Sequence, residues 1–339
     1  MLRLPPFTLR RPRSLAEAAA ILAGEGPRAR PVAGGTDLWP NMKRRHQKAE
    51  TVVSLMAIPE LAGVTDGNGA GLTLGATTLL ADVVAHPAVR DRYPGLARAV
   101  ESISSPPLRH MGTIGGNVCV DTRCTYYNQT EEWRRSIDYC MKEEGTICWV
   151  APSSPRCWAH SASDSAPMLQ ALGAEVRLVS HQGERAVPIA ALYRDDGIDY
   201  LAKRPEEIVA AIRLPADADA SRCRSAFWKL RRRGSIDFAV LSVAAAVWMD
   251  GERVERAAIV LGAVGSSPHS ADQAAAHLVG KPLTPETLAE AAELARRVAV
   301  PMDNTDFQTQ WRKAVAGTYV EAALRECAGL PVERLPPRH

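Results

Sequence analysis

The sequence predicts an α+β protein: two α/β subdomains followed by a C-terminal domain of a three-stranded antiparallel sheet with helices. Three observations predict it. At 339 residues the chain is too long for one small core. Through its first two thirds, short apolar runs alternate with helical stretches and glycine turns. Beyond a polar stretch at 215–221, three long strand-like runs succeed one another before helices begin.

The elements follow in order. Residues 14–23 read as a helix capped by Ser14, with alanines inside and apolar residues at helical spacing. An apolar stretch at 29–33 leads into Gly34-Gly35-Thr36-Asp37, and 50–55 is a strand. Residues 72–76 form a strand, then a helix runs to 85 with Thr78 or a neighbour as cap. A helix at 96–103 precedes the turn Thr113-Ile114-Gly115-Gly116-Asn117. The spacing predicts a helix over 130–144 and another over 167–172. Residues 174–180 and 185–188 make a hairpin, and 207–214 a further strand. Strands at 225–231, 238–249 and 253–264 are followed by helices at 271–278, 285–297 and 309–327. This gives domains at 1–57, 58–220 and 221–330, an insertion at about 118–160, and a tail at 331–339.

The formal net charge of +3 comes with no basic helix and no RNA-type aromatic motif, which argues against nucleic acid. Pro5 and Pro6 interrupt the N-terminus, and no apolar run approaches membrane-spanning length. A soluble cytoplasmic protein is expected. Cysteines there stay reduced, so a cluster of them suggests ligands before disulfides.

Two glycine turns carry the first chemical signal. Glycine admits positive φ and close approach of a ligand, and successive exposed N–H groups can cradle a phosphate. Gly34-Gly35-Thr36 and Gly115-Gly116-Asn117 both have this character, and facing each other they would clamp a diphosphate. Neither has the spacing of a GxGxxG or GxxxxGK[ST] loop. Either one alone equally reads as an ordinary tight turn.

The second signal is the segment from 111 to 167. It holds five of the seven cysteines, three of the seven tryptophans and three of the seven tyrosines. Cys119, Cys124, Cys140, Cys148 and Cys157 include no CxxC pair, which weighs against a zinc ribbon. An iron–sulfur cluster takes four thiolates and tolerates wide spacing. Cys119 sits in an apolar Val-Cys-Val run and reads as a buried thiol, as do Cys223 and Cys327. On a helix over 130–144, Trp133, Ile137 and Cys140 would share one face, with Trp133, Trp149 and Trp158 as cover. Iron–sulfur, zinc and a surface insertion with buried thiols remain three readings of the spacing.

The run Val32, Ala33, Gly34, Gly35, Thr36, Asp37, Leu38 resembles one FAD signature of the medium, flavin-binding subunits of the molybdenum hydroxylases. The run from Thr113 to Asn117 resembles the other, and Leu74-Gly75-Ala76-Thr77-Thr78 resembles the strand-to-helix turn between them. The resemblance covers nearly the whole chain. It implies FAD extended between the first two subdomains, with the 32–38 loop, Thr77, Thr113, Gly115, Gly116 and Asn117 near the cofactor. Ser163 and Asp164 would meet its ribityl or adenosine side, and Ile208 and Val209 its adenine or flavin edge. Lys229 matches a cation near the flavin ring, and Asp237 a neighbouring position. Most members pass from the GGN turn to the Ser-Asp turn after a much shorter connection. The long insertion resembles that of a reductase branch acting on phenolic coenzyme A thioesters. It implies a [4Fe–4S] cluster on Cys124, Cys140, Cys148 and Cys157, ferredoxin as electron donor, and separate molybdopterin (α) and [2Fe–2S] (γ) subunits. No catalytic acid, base or nucleophile is implied in this chain.

Overall fold

The computed structural model describes residues 2–67, 69, 71–216, 222–333, 335 and 336. Three sheets organise them. The first joins β1 (Thr8–Arg10), β2 (Ala29–Val32) and β3 (Thr51–Ser54) in the parallel order β1-β3-β2. Parallel strands need crossovers: helix Leu15–Glu25 lies between β1 and β2, and helix Leu38–Lys43 between β2 and its neighbour β3. The sequence showed no sign of β1, because three exposed residues leave no alternation to read.

Ser14 is the helix cap, its Oγ accepting the Glu17 N–H at 3.2 Å. Ser14→Ala should destabilise this helix by about 1 kcal/mol. Faster amide exchange at Ala18 and Ala19 would report it, and unchanged exchange would mean the cap contributes nothing.

The second sheet contains β4 (Val64–Asp66), β5 (Leu72–Gly75), β6 (Glu175–Ser180), β7 (Gly183–Pro188) and β8 (Ile208–Arg213). Its order is β4-β5-β8-β6-β7, antiparallel throughout. β8 is apolar on both faces for a reason. Ile208 and Ala210 pack with Leu15 and Leu22 of the N-terminal helix, while Val209 and Ile212 join the middle core. That core also takes Leu96 and Ala99 of helix Pro94–Glu101 and Met168 of helix Ser165–Ala171.

The third sheet runs β12-β11-β10-β9, antiparallel, from β9 (Cys223–Leu230), β10 (Leu241–Asp250), β11 (Arg253–Gly262) and β12 (His269–Ser270). It therefore has four strands where three were expected, the fourth being only two residues long. Helices Asp272–Leu278, Pro285–Arg296 and Thr309–Ala328 share its core. The boundary expected at 220 falls at 217–221, outside the described residues. Among the described residues no helix is long and apolar enough to cross a membrane.

The expected 130–144 helix is much shorter. It spans Glu131–Ser136, with Thr130 as cap, and Asp138 and Tyr139 have positive φ. The buried Arg134 explains the break. Its guanidinium binds Glu131, Glu143 and the Arg44 carbonyl. Glu143 could not reach Arg134 along one straight helix, so tertiary pairing overrides local propensity. Cys140 consequently lies on irregular chain beyond the helix, not on the face of Trp133.

Candidate functional site

A cavity of about 570 Å³ lies where the 32–38 loop, the 112–121 segment and the 198–205 loop meet. Val32, Ala33, Gly34, Gly35, Thr36, Asp37 and Leu38 all line it, as do Thr113, Gly116 and Asn117. The two glycine motifs touch. A Cβ on Gly34 would sit 1.6 Å from the Met111 carbonyl oxygen, so only glycine permits this approach. The N–H groups of Gly34, Gly35 and Thr36 have no protein acceptor among the described residues. Three adjacent donors on a cavity wall suit an anion such as a diphosphate.

The second motif departs from expectation. It is a helical turn, Ile114–Val118, capped by Thr113. The Gly115 N–H donates to the Ala76 carbonyl at 2.9 Å, and the Gly116 N–H to Thr113 Oγ1 at 3.1 Å. These donors are already satisfied, so the phosphate cradle belongs to the first motif alone. Gly115 is buried off the cavity and serves close packing: a Cβ there would lie 2.6 Å from that of Ala76.

Other expected residues stand behind the wall. Asn117 Oδ1 accepts from Ser163 Oγ at 3.0 Å and Ser165 Oγ at 2.6 Å. Asp164 and Lys229 are both buried and pair at 2.7 Å, Lys229 also reaching the Ser102 carbonyl. Burial raises the Asp164 pKa against the pull of Lys229. Thr77 is buried and donates its N–H to Leu61. Ile208 and Val209 are core residues. Asp237 accepts the Arg232 and Arg233 N–H groups at 3.0 and 3.2 Å, capping their loop. None of Ser163, Asp164, Lys229, Thr77, Ile208, Val209 or Asp237 lines the cavity. Residues that do, and that the sequence did not single out, include Arg30, Tyr200, Lys203 and Phe238. No motif marks them; the one hint was an aromatic in the loop between the hairpin and β8.

The inserted segment holds a separate buried group. Cys124, Cys140, Cys148 and Cys157 are free and buried. Cys124, Cys140 and Cys157 share one apolar cluster, and Cys148 lies outside it. Burial pushes the Cys124 thiol up to about 11 and Cys157 up to about 12. Backbone N–H groups point at three of the sulfurs: Tyr126 and Tyr127 at Cys124, Lys142 at Cys140, Ala159 at Cys157. Tyr127 and Ala159 complete the buried group, with Tyr126, Met141, Trp149 and Val150 packed on it. Trp133 and Trp158 stand outside this group, contrary to the expected cover. Among the described residues no three His, Cys, Asp or Glu side chains are placed to hold a metal ion. Cys119 lies apart, lining the cavity.

The wall between the cavity and the buried cysteines is charged. Asp121 lines the cavity and pairs with Lys142 at 2.8 Å, both nearly inaccessible. Lys142 also donates to Thr122 Oγ1 and the Gly197 carbonyl, and lies 5.0 Å from the Tyr127 ring. Burial opposes the Asp121 charge, but Lys142 and Arg123 hold its pKa below the usual range. Asp37 pairs with Arg123, and burial raises its pKa nonetheless.

A family model for an FAD binding domain in molybdopterin dehydrogenase matches residues 5–217, and one for the CO dehydrogenase flavoprotein C-terminal domain matches 225–327. The chain belongs to the FAD-binding medium subunits of the molybdenum hydroxylase family. The medium chain of carbon monoxide dehydrogenase from Hydrogenophaga pseudoflava is 27% identical, covering 94% of this chain and 96% of that protein. The FAD-binding subunit of aldehyde oxidoreductase from Escherichia coli is 33% identical over 80% of this chain and 86% of its own. A solved carbon monoxide dehydrogenase chain from Hydrogenophaga pseudoflava superposes with a TM-score of 0.79 at 27% identity, covering 96% and 99% of the two chains. The FAD-binding match contains every cavity residue named above except Phe238, which falls within the C-terminal match.

Proposed function

We propose that this chain is the electron-transfer subunit of a 4-hydroxybenzoyl-CoA reductase. In this reading it takes electrons from reduced ferredoxin and passes them to a [2Fe–2S] γ subunit and a molybdenum-binding α subunit, in an (αβγ)2 assembly. Two electrons and two protons would convert 4-hydroxybenzoyl-CoA to benzoyl-CoA and water on the molybdenum subunit. Residues 1–57 and 58–220 would form the FAD unit, and 221–330 the domain closing it. FAD would supply one- and two-electron chemistry, with position and electrostatics coming from the protein. The Gly34, Gly35 and Thr36 N–H groups would hold its diphosphate, with Arg30 and Lys203 adding positive charge to the cavity.

The observation carrying this reading is the four buried cysteines of the segment inserted between Asn117 and Ser163. Cys124, Cys140 and Cys157 share one buried apolar group and Cys148 is buried outside it, so the four sulfurs would have to be drawn together to hold a [4Fe–4S] cluster under that cover. A second reading rests on the relatives, which include carbon monoxide, aldehyde and xanthine dehydrogenases. In it the chain is a hydroxylase flavin subunit delivering electrons to NAD or a quinone.

Iron, sulfide and flavin content of the anoxically purified chain, with EPR after reduction, separates them. The reductase reading expects about four irons and one FAD per chain, with the reduced-cluster signal lost in Cys140→Ser. Flavin without iron would discard it in favour of the hydroxylase reading. Zinc in place of iron would remove the electron-transfer role of the insertion.

A further inference from the structure

We propose that Arg123, supplied by the inserted segment, is a positioning residue for the cofactor cavity. Arg123 is 5% exposed and does not itself line the cavity. It acts through residues that do. One guanidinium nitrogen binds Asp37 Oδ1, another lies 3.3 Å from Asn41 Oδ1, and the guanidinium stacks 4.6 Å from the Phe238 ring centre. Asp37 belongs to the 32–38 loop and Phe238 to the C-terminal domain, and both face the cavity. One side chain thus fixes two walls from different domains.

Its own anchorage is within the inserted segment. The Arg123 N–H donates to the His160 carbonyl at 2.9 Å, and the His160 N–H returns a bond to the Arg123 carbonyl at 2.8 Å. This pair of bonds ties the two ends of the insertion together and fixes the Arg123 backbone.

Electrostatics gives the sign of the effect. Asp37 and Asp121 both border the cavity and raise each other's cost of ionisation. Their cations, Arg123 and Lys142, come from the inserted segment on the far side. The wall is neutral only while both cations are in place. Without Arg123, the Asp37 carboxylate would face an anionic diphosphate without its counter-ion, and Phe238 would lose its backing. Asn41 Nδ2 donates to the other Asp37 oxygen at 3.0 Å.

The inference rests on FAD occupying the cavity, as proposed above. The test is FAD affinity of the deflavinated full chain, measured by flavin fluorescence, with iron content and melting temperature recorded for every variant. Arg123→Gln should weaken FAD binding by about 10-fold or more. Arg123→Gln/Asp37→Asn should recover most of that loss, because the unpaired charge is gone. Such recovery separates an electrostatic role from simple damage to the fold. Unchanged FAD affinity in a folded Arg123→Gln variant would overturn the inference. So would a double variant no better than the single, including one that fails to fold. A chain with no iron would remove the reductase reading, while the Arg123 and Asp37 arms would still decide the positioning role.

Discussion

Gly34→Ala is expected to abolish stoichiometric FAD binding, with affinity reduced more than about 100-fold, while the C-terminal domain stays folded. The added Cβ would meet backbone: the Met111 oxygen at 1.6 Å, the Met111 carbonyl carbon at 2.5 Å and the Gly112 nitrogen at 3.1 Å. No rotamer change can relieve a clash with backbone. Either the 32–38 loop or the Met111–Gly112 segment must move, and both border the cavity. The donors of Gly34, Gly35 and Thr36 would then lose their common aim, which is the basis of anion binding. The C-terminal core is built from a separate set of residues and should keep its circular dichroism. Gly24→Ala is the matched control, since a Cβ there meets nothing within 4 Å and alanine favours the helix. The measurement is the flavin-to-protein ratio of each purified variant. A Gly34→Ala chain that retains full flavin would mean the two glycine motifs do not meet as described.

Lys142→Met is expected to destabilise the middle of the chain by about 3–5 kcal/mol. The ammonium is buried and makes bonds to Asp121, Thr122 and the Gly197 carbonyl. Methionine fills a similar volume but leaves Asp121 buried with only Gln47 and the more distant Arg123 for compensation. Removing both charges should be far milder, because a buried pair gives back much of its attraction as lost hydration. Asp121→Asn/Lys142→Met should therefore recover at least half the loss. Denaturant midpoints of the two singles and the double complete the cycle. Equal destabilisation by the double variant would show that Lys142 matters through packing on Tyr127, and not through its charge.

The insertion shows where local reading fails. Residues 130–144 have the composition of a helix, with acids first, a lysine late and Gly145 as a stop. The chain nevertheless leaves the helix after Ser136, because Arg134 closes on Glu143 in place of about two further turns. That pairing joins side chains nine positions apart, and no periodicity encodes it. The same holds for the aromatic cover. Three tryptophans drew attention by their rarity, yet Tyr127 and Trp149 are the rings at the sulfurs.

By itself the sequence determined most of the longer helices and strands, the glycine at 34, the cap at Ser14 and the cysteines that share the insertion. These depend on φ, on capping and on spacing, all set by neighbours along the chain. It also carried the family, because the glycine motifs are contiguous. Only the tertiary structure decided which glycine motif keeps its N–H groups free, since Ala76 takes the Gly115 donor from a distant strand. Only it put Lys229 and Asp164 into a pair behind the wall, made Tyr200 and Phe238 part of the cavity, and set Arg123 between two domains. The physical reason is common to all of these. Satisfaction of a buried donor or charge depends on partners brought together by folding, and residues dozens of positions apart leave no local pattern from which to infer them.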